Sequence, residues 1–155
     1  RDCLLSRGLG DVYKRQQFFQ SRIPGSDVTP DQLRSRSWWK GAEGFVLIDD
    51  YDLVSTSQGN PVAVLAPLLA QAADLGLHVI LTRRTGGASR AAYDPIIQRM
   101  TDLGATGILL SGNPEEGQLI GKVKAIPAIP GRAQIVSRDR GLVAAQLLWV
   151  PPSYQ

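Results

Sequence analysis

Cysteine and histidine are nearly missing from these 155 residues, with only Cys3 and His78 present. A disulfide framework is thereby excluded, and so is a Cys/His cluster at metal-ligand spacing; a reducing compartment is compatible with both. Long apolar runs are also missing. Nothing approaches the ~20 residues that a membrane-spanning helix requires, and the start has no apolar core of a signal peptide. Charge imbalance is slight once its source is located. The 17 Lys+Arg and 14 Asp+Glu give +3, but Arg1, Arg7, Lys14, Arg15, Asp2 and Asp11 crowd into the first sixteen positions and leave 13 basic against 12 acidic side chains. The sequence pI of 9.3 is therefore no sign of a nucleic-acid surface. Internal repeats, low-complexity tracts and interdomain linkers do not occur either. Nor does a phosphate-binding loop of the form G-x-x-x-x-G-K-[ST]: Gly86-Gly87 has no lysine after it.

What is present centres on Gly44-Phe45-Val46-Leu47-Ile48-Asp49-Asp50-Tyr51-Asp52. Four bulky apolar residues without polar alternation predict a strand buried on both faces, as parallel strands covered by helices are. It delivers Asp49 and Asp50 to the carboxyl edge of the sheet, where open α/β sheets bind ligands. An apolar strand ending in Asp and a second acid is the pattern of a Walker-B element, whose first acid holds Mg²⁺ on a nucleotide while the second orients the attacking water. The same pattern fits a buried strand that stops in a solvated acidic turn.

The length predicts one domain. Residues 1 to 16 show neither helical nor strand periodicity and read as a non-native leader or sequencing artefact, marking where a longer gene was cut. Thr29-Pro30 predicts a short capped helix, and Trp38-Trp39 read as packing aromatics. Asn60-Pro61 predicts a helix to about Leu75, kinked or delayed by Pro67 and stopped by Gly76. Leu77 to Thr82 is the second buried strand. His78 within it reads as a hydrogen-bonded structural residue, since no nucleophile or second ligand lies at motif spacing. Arg83 and Arg84 fall at the same carboxyl edge as Asp49, where arginine can grip a phosphate bidentately or pair with Asp49, Asp50 or Asp52.

Asp94-Pro95 predicts a helix to Leu103 stopped by Gly104, and Gly107 to Ser111 a third strand. That order is the signature of right-handed βαβ units and a parallel sheet flanked by helices. A helical turn at 113–116, a loop rich in Pro and Gly up to Arg132, and an antiparallel hairpin from Arg132–Ser137 and Leu142–Val150 complete the chain before Pro151-Pro152.

The segment Phe45 to Leu53, with Ala72 to Arg84, resembles the additional strand catalytic (ASCE) ATPases of the FtsK/SpoIIIE group. Arg36-Ser37-Trp38-Trp39, Val46 to Val54 and Arg83-Arg84-Thr85-Gly86-Gly87 are more closely similar to the C-terminal ATPase module of EccC, of type VII secretion. The likeness covers about Val28 to Pro152. It implies a truncated RecA-like P-loop NTPase, with 17–155 as the C-terminal part of one domain lacking Walker A. It also implies ATP and Mg²⁺ bound with the help of upstream chain, and a soluble segment of a membrane-anchored machine at the cytoplasmic face. The partners it implies are other ATPase modules, in an oligomeric ring, and small WXG-type export substrates, with no direct nucleic acid. The broader group's alternative is a DNA-translocating motor. By the resemblance, Asp49 takes the Mg²⁺-linked position and Asp50 the water-positioning one, where hydrolytic members carry Glu. Arg84 stands where DNA-pumping relatives carry a polar sensor, usually Gln. Both departures favour nucleotide as a structural or regulatory ligand, and this chain alone is expected not to hydrolyse ATP at a useful rate.

Overall fold

The computed structural model describes residues 3–4, 9–87, 93–148 and 150. The chain divides into two compact units, Arg1–Arg83 and Arg84–Gln155. Pro151 and Pro152, read from the sequence as the chain's end stop, lie outside the described residues.

The first unit is built on a parallel sheet of order β1 (Cys3–Leu4), β2 (Gly44–Ile48) and β3 (Leu77–Leu81). Its central register pairs Gly44 with Leu77 through Ile48 with Leu81. Helix α1 (Leu9–Gln20) runs across position 16, so residues 9–16 are continuous in structure with the chain beyond them. Phe19 on α1 is buried and explains why β2 opens on a glycine: a Cβ at Gly44 would sit 2.4 Å from its Cζ.

Helix α2 (Pro30–Ser35) forms as its ends dictate. Thr29 accepts from the Gln32 backbone N–H, and the Gln32 side chain returns the bond to Thr29, a reciprocal cap ahead of a proline at the first turn. The single helix expected over 60–75 is instead three pieces. A 3-10 turn (Pro61–Leu65) begins under the Asn60 side chain, α4 (Ala66–Leu69) holds Pro67 in its first turn, and α5 (Ala72–Leu75) comes after a break at Ala70-Gln71. Pro67 has no N–H to continue the ladder, so the helix restarts there. The core face survives the breaks, with Val62, Leu65, Leu68, Leu69 and Leu75 all buried. Gly76 ends the run with φ of 63°, as expected of a helix stop.

One expectation for the strands fails. Val46 and Ile48 are half-buried, but Phe45, Leu47 and Ile80 are 42%, 37% and 51% exposed. Strand side chains alternate, and in this register Phe45, Leu47, His78 and Ile80 share the more exposed face.

A buried arginine holds the amino-terminal ends of β2 and β3. Arg22 is 4% exposed, donates to the Leu75 carbonyl at 2.9 Å and to the Ala42 carbonyl at 2.8 Å, and lies over the rings of Phe18 and Trp39 at 4.3 and 3.9 Å. Burial lowers its pKa, and the nearby Glu43 carboxylate opposes that shift. The two tryptophans are the packing aromatics they were read to be. Trp38 Nε1–H donates to the Arg22 carbonyl at 2.6 Å and Trp39 Nε1–H to the Asp74 carbonyl at 2.8 Å.

In the second unit, α6 (Pro95–Asp102) begins as expected, with Asp94 accepting from the Ile96 and Ile97 N–H groups, and Ile96 wholly buried. The third strand, β4 (Gly107–Leu109), does not extend the parallel sheet. It pairs antiparallel with β7 (Arg132–Ser137), which pairs in turn with β8 (Gly141–Gln146). Strand and helix order constrains the handedness of a crossover, not which sheet edge a three-residue strand joins. The hairpin's N–H and C=O groups offered that edge. The Pro/Gly-rich loop also contains a small antiparallel pair, β5 (Gln118–Ile120) and β6 (Val123–Lys124), with Ile120 packed onto Gly107. The α/β class with a parallel sheet and a C-terminal hairpin stands.

Arg22→Met keeps the aliphatic stem but removes two bonds to buried carbonyls and the charge between the rings. We expect it to destabilise the fold by about 2–4 kcal/mol. Arg22→Lys should recover little, because an ammonium lacks the planar fork. Urea unfolding measures both, and a wild-type midpoint in Arg22→Met contradicts the assignment.

Candidate functional site

The carboxyl edge of β2 and β3 gathers the acids. Asp49 comes directly after the last residue of β2, and Asp50 takes a left-handed backbone, φ 46° and ψ 54°, before helix α3 (Tyr51–Val54). Both carboxylates are exposed. Asp and Asn are the non-glycine residues that enter this region most readily. An aspartate at position 50 therefore suits the backbone, where a longer glutamate would meet a less favourable turn.

Two residues to which the sequence assigned no site role organise this turn. Tyr51 is 1% exposed and anchors it in the core, its hydroxyl accepting from Asn60 Nδ2 at 2.6 Å. Thr82, directly after β3, donates through Oγ1 to Asp49 Oδ1 at 2.5 Å and accepts the Asp50 N–H at 3.1 Å. Its carbonyl accepts the Tyr51 N–H at 2.8 Å, and its own N–H donates to the Ile48 carbonyl at 2.9 Å. A polar residue closing an apolar strand beside an acid-terminated one was the only sequence signal for Thr82. The buried aromatic after the acid pair was the only one for Tyr51.

Arg83 is next to Thr82 at the same edge and is half-buried, whereas Arg84 is exposed and opens the second unit. Both are engaged with neighbouring groups. Beyond Arg84, the loop is tied within its own unit: the Gly87 N–H donates to Glu116 Oε2 at 2.9 Å, and Thr85 packs against Gly112. His78 sits at the start of β3, away from the acids. Its Nε2 lies 3.0 Å from Glu43 Oε2 and its ring stacks on Phe45 at 4.5 Å, in keeping with a structural role. A cavity of about 310 Å³ lined by Phe18, Arg22, Lys40 and Phe45 lies at that opposite edge. Ligands of open parallel sheets bind at the carboxyl edge, the edge on which Asp49 lies.

Among the described residues, no group of three or more His, Cys, Asp or Glu could cage a metal alone. Mg²⁺ in nucleotide sites typically takes only one or two carboxylates and completes its shell with phosphates and water. Asp49, with Oδ1 engaged by Thr82 and its carboxylate open to solvent, fits that single-carboxylate contribution.

No protein-family model matches the chain. It is 46% identical over 133 residues to the ESX-4 secretion system protein EccC4 of Mycobacterium tuberculosis, a match covering 86% of this chain and 11% of that protein. Among solved structures it is similar to the cytoplasmic domain of the Thermomonospora curvata type VII secretion ATPase EccC, with a TM-score of 0.87 and 45% identity over 93% of this chain and 17% of the other. It is equally similar to Thermomonospora curvata EccC (ATPases 2 and 3) in complex with a signal sequence peptide, at TM-score 0.87 and 45% identity, covering 93% of this chain and 26% of that one.

The left-handed turn yields a stability test. Asp50→Gly should hold or raise the urea midpoint, while Asp50→Val, β-branched in the same region, should cost about 1–2 kcal/mol. A Val variant as stable as wild type contradicts the turn geometry.

Proposed function

The chain belongs to the EccC family of type VII (ESX) secretion ATPases, with their P-loop NTPase class of fold, and on that premise we propose that residues 17–155 are the C-terminal part of one FtsK/SpoIIIE-type nucleotide-binding module. The chain spans 11% of the length of the curated relative EccC4, so activity, substrate and partners are proposed for the longer protein. In this reading Asp49 holds the Mg²⁺ of a bound ATP, directly or through water, Asp50 is the water-positioning acid, and Arg83 and Arg84 meet phosphate oxygens. The metal supplies neutralisation of phosphate charge. Asp49 offers the carboxylate, and the buried Tyr51 and the strand pairing keep it at the sheet edge. Asp50 reaches less far than a Glu would, which favours nucleotide held as a structural or slowly turned-over ligand, since in-line attack demands strict placement of water.

The observation that carries this reading is the parallel register of β2 and β3, which brings Asp49 opposite Thr82 and next to the start of the arginine pair. The solved relative bound to a signal sequence peptide supports a peptide export signal as the recognised substrate class. WXG-type proteins are the proposed cargo, and further ATPase modules in a ring the proposed neighbours. Secretion relatives favour this duty over DNA translocation. Among the described residues no helix is long and apolar enough to cross a membrane, and we place the module at the cytoplasmic face of a membrane-anchored complex.

In a full-length EccC protein carrying these residues, Asp49→Asn should weaken Mg²⁺-dependent ATP binding roughly 10- to 100-fold, the range for residues supporting a metal. Titration calorimetry with and without Mg²⁺ measures it, and unchanged affinity would remove Asp49 from the site.

A further inference from the structure

We propose that Thr82 is the positioning residue that gives the two neighbouring acids their separate orientations. The inference rests on the reading of Asp49 as the metal-side carboxylate. A threonine hydroxyl has one hydrogen to donate and lone pairs to accept. Here the hydrogen goes to Asp49 Oδ1, and a lone pair receives the Asp50 N–H. One oxygen thus touches both acids, but differently: the side chain of the first and the backbone of the second. With its own N–H and C=O spent on Ile48 and Tyr51, Thr82 contacts four consecutive residues across the edge. Strand pairing alone supplies only the backbone part of that grip.

The hydroxyl acts on the site in two ways. Fixing Asp49 Oδ1 with a charge-assisted bond holds the carboxylate in one rotamer and presents Oδ2 outward as the oxygen for a metal or its water. Fixing the Asp50 N–H holds the left-handed turn, so the second carboxylate leaves the backbone in a direction that Asp49 cannot share. Adjacent residues on an uninterrupted strand would simply alternate between faces; the hydroxyl replaces that alternation with a set turn. The methyl branch of threonine stiffens χ1, so the hydroxyl stays aimed without help from a larger network. Position 82 is accordingly specified for a hydroxyl, with a β-branched residue preferred.

The test compares Thr82→Val, which keeps the branch and loses both bonds, with Thr82→Ser, which keeps the hydroxyl, in a full-length EccC protein carrying this module. Two readouts are taken: ATP affinity with Mg²⁺ and with EDTA, and amide hydrogen exchange at Asp50 and Tyr51 without nucleotide. Thr82→Val should lose roughly tenfold or more in Mg²⁺-dependent affinity, with EDTA affinity unchanged, and exchange roughly tenfold faster at Asp50, as expected for a lost bond to a charged group. Thr82→Ser should stay within about threefold on both. Unchanged protection of the Val46 and Ile48 amides in Thr82→Val shows that the strand pair is still folded. If Asp49→Asn weakens Mg²⁺-dependent binding and Thr82→Val does not, the assignment of Thr82 is overturned. It is also overturned if Ser fails as fully as Val, since shape and not the hydroxyl would then matter. If Asp49→Asn itself changes nothing, the nucleotide reading fails, and the Asp50 exchange rate in Thr82→Val still decides whether Thr82 sets the turn.

Discussion

The parallel pairing of β2 with β3, in one register and no other, is the constraint on which the first unit depends. A slip by one residue would turn every side chain to the other face and part Asp49 from Thr82. The pairing is fastened at both ends by polar groups. At the amino end the buried Arg22 fork spans the Ala42 and Leu75 carbonyls, tying the chain entering β2 to the helix end that feeds β3. At the carboxyl end Thr82 closes onto Asp49, Asp50 and Tyr51. Apolar packing fills the space between, but it is non-directional. These directional contacts select the register.

The same arrangement explains why an exposed acidic turn can be orderly. Asp50 sits in a backbone region that costs most residues energy, and such conformations persist when their surroundings over-determine them. Here the surroundings are the Tyr51 ring in the core, the Asn60 bond to its hydroxyl and the Thr82 bonds. Order at the edge is what a site needs if it is to meet a charged ligand without rearranging.

Much of this was legible in the sequence where the chemistry is local. Thr29-Pro30, Asn60-Pro61 and Asp94-Pro95 each announced a helix start because cap and proline act within one turn, and Gly76 and Gly104 announced stops. The acid-terminated strand was legible because its apolar run is continuous. Features set by distant partners were not. Arg22 lies in a polar stretch, and only the positions of Phe18 and Phe19 one turn earlier hinted at a ring-stacked guanidinium. Strand β4 went to the hairpin because pairing partners are chosen in three dimensions, and β5 and β6 are too short to show alternation. Thr82 was visible as the end of a strand, but its task needs the register that puts it opposite Asp49.

The proposed function reduces to one claim: nucleotide with its metal lies at the carboxyl end of β2. Mn²⁺ in place of Mg²⁺ tests it directly, through paramagnetic broadening of amide signals in an EccC protein carrying this module with ATP bound. The account predicts strong broadening at Asp49, Asp50, Tyr51 and Thr82, with Ala42, Gly44 and Leu77 spared. Broadening centred on the Arg22 end of the sheet, or absent from Asp49 while ATP is bound, would contradict it.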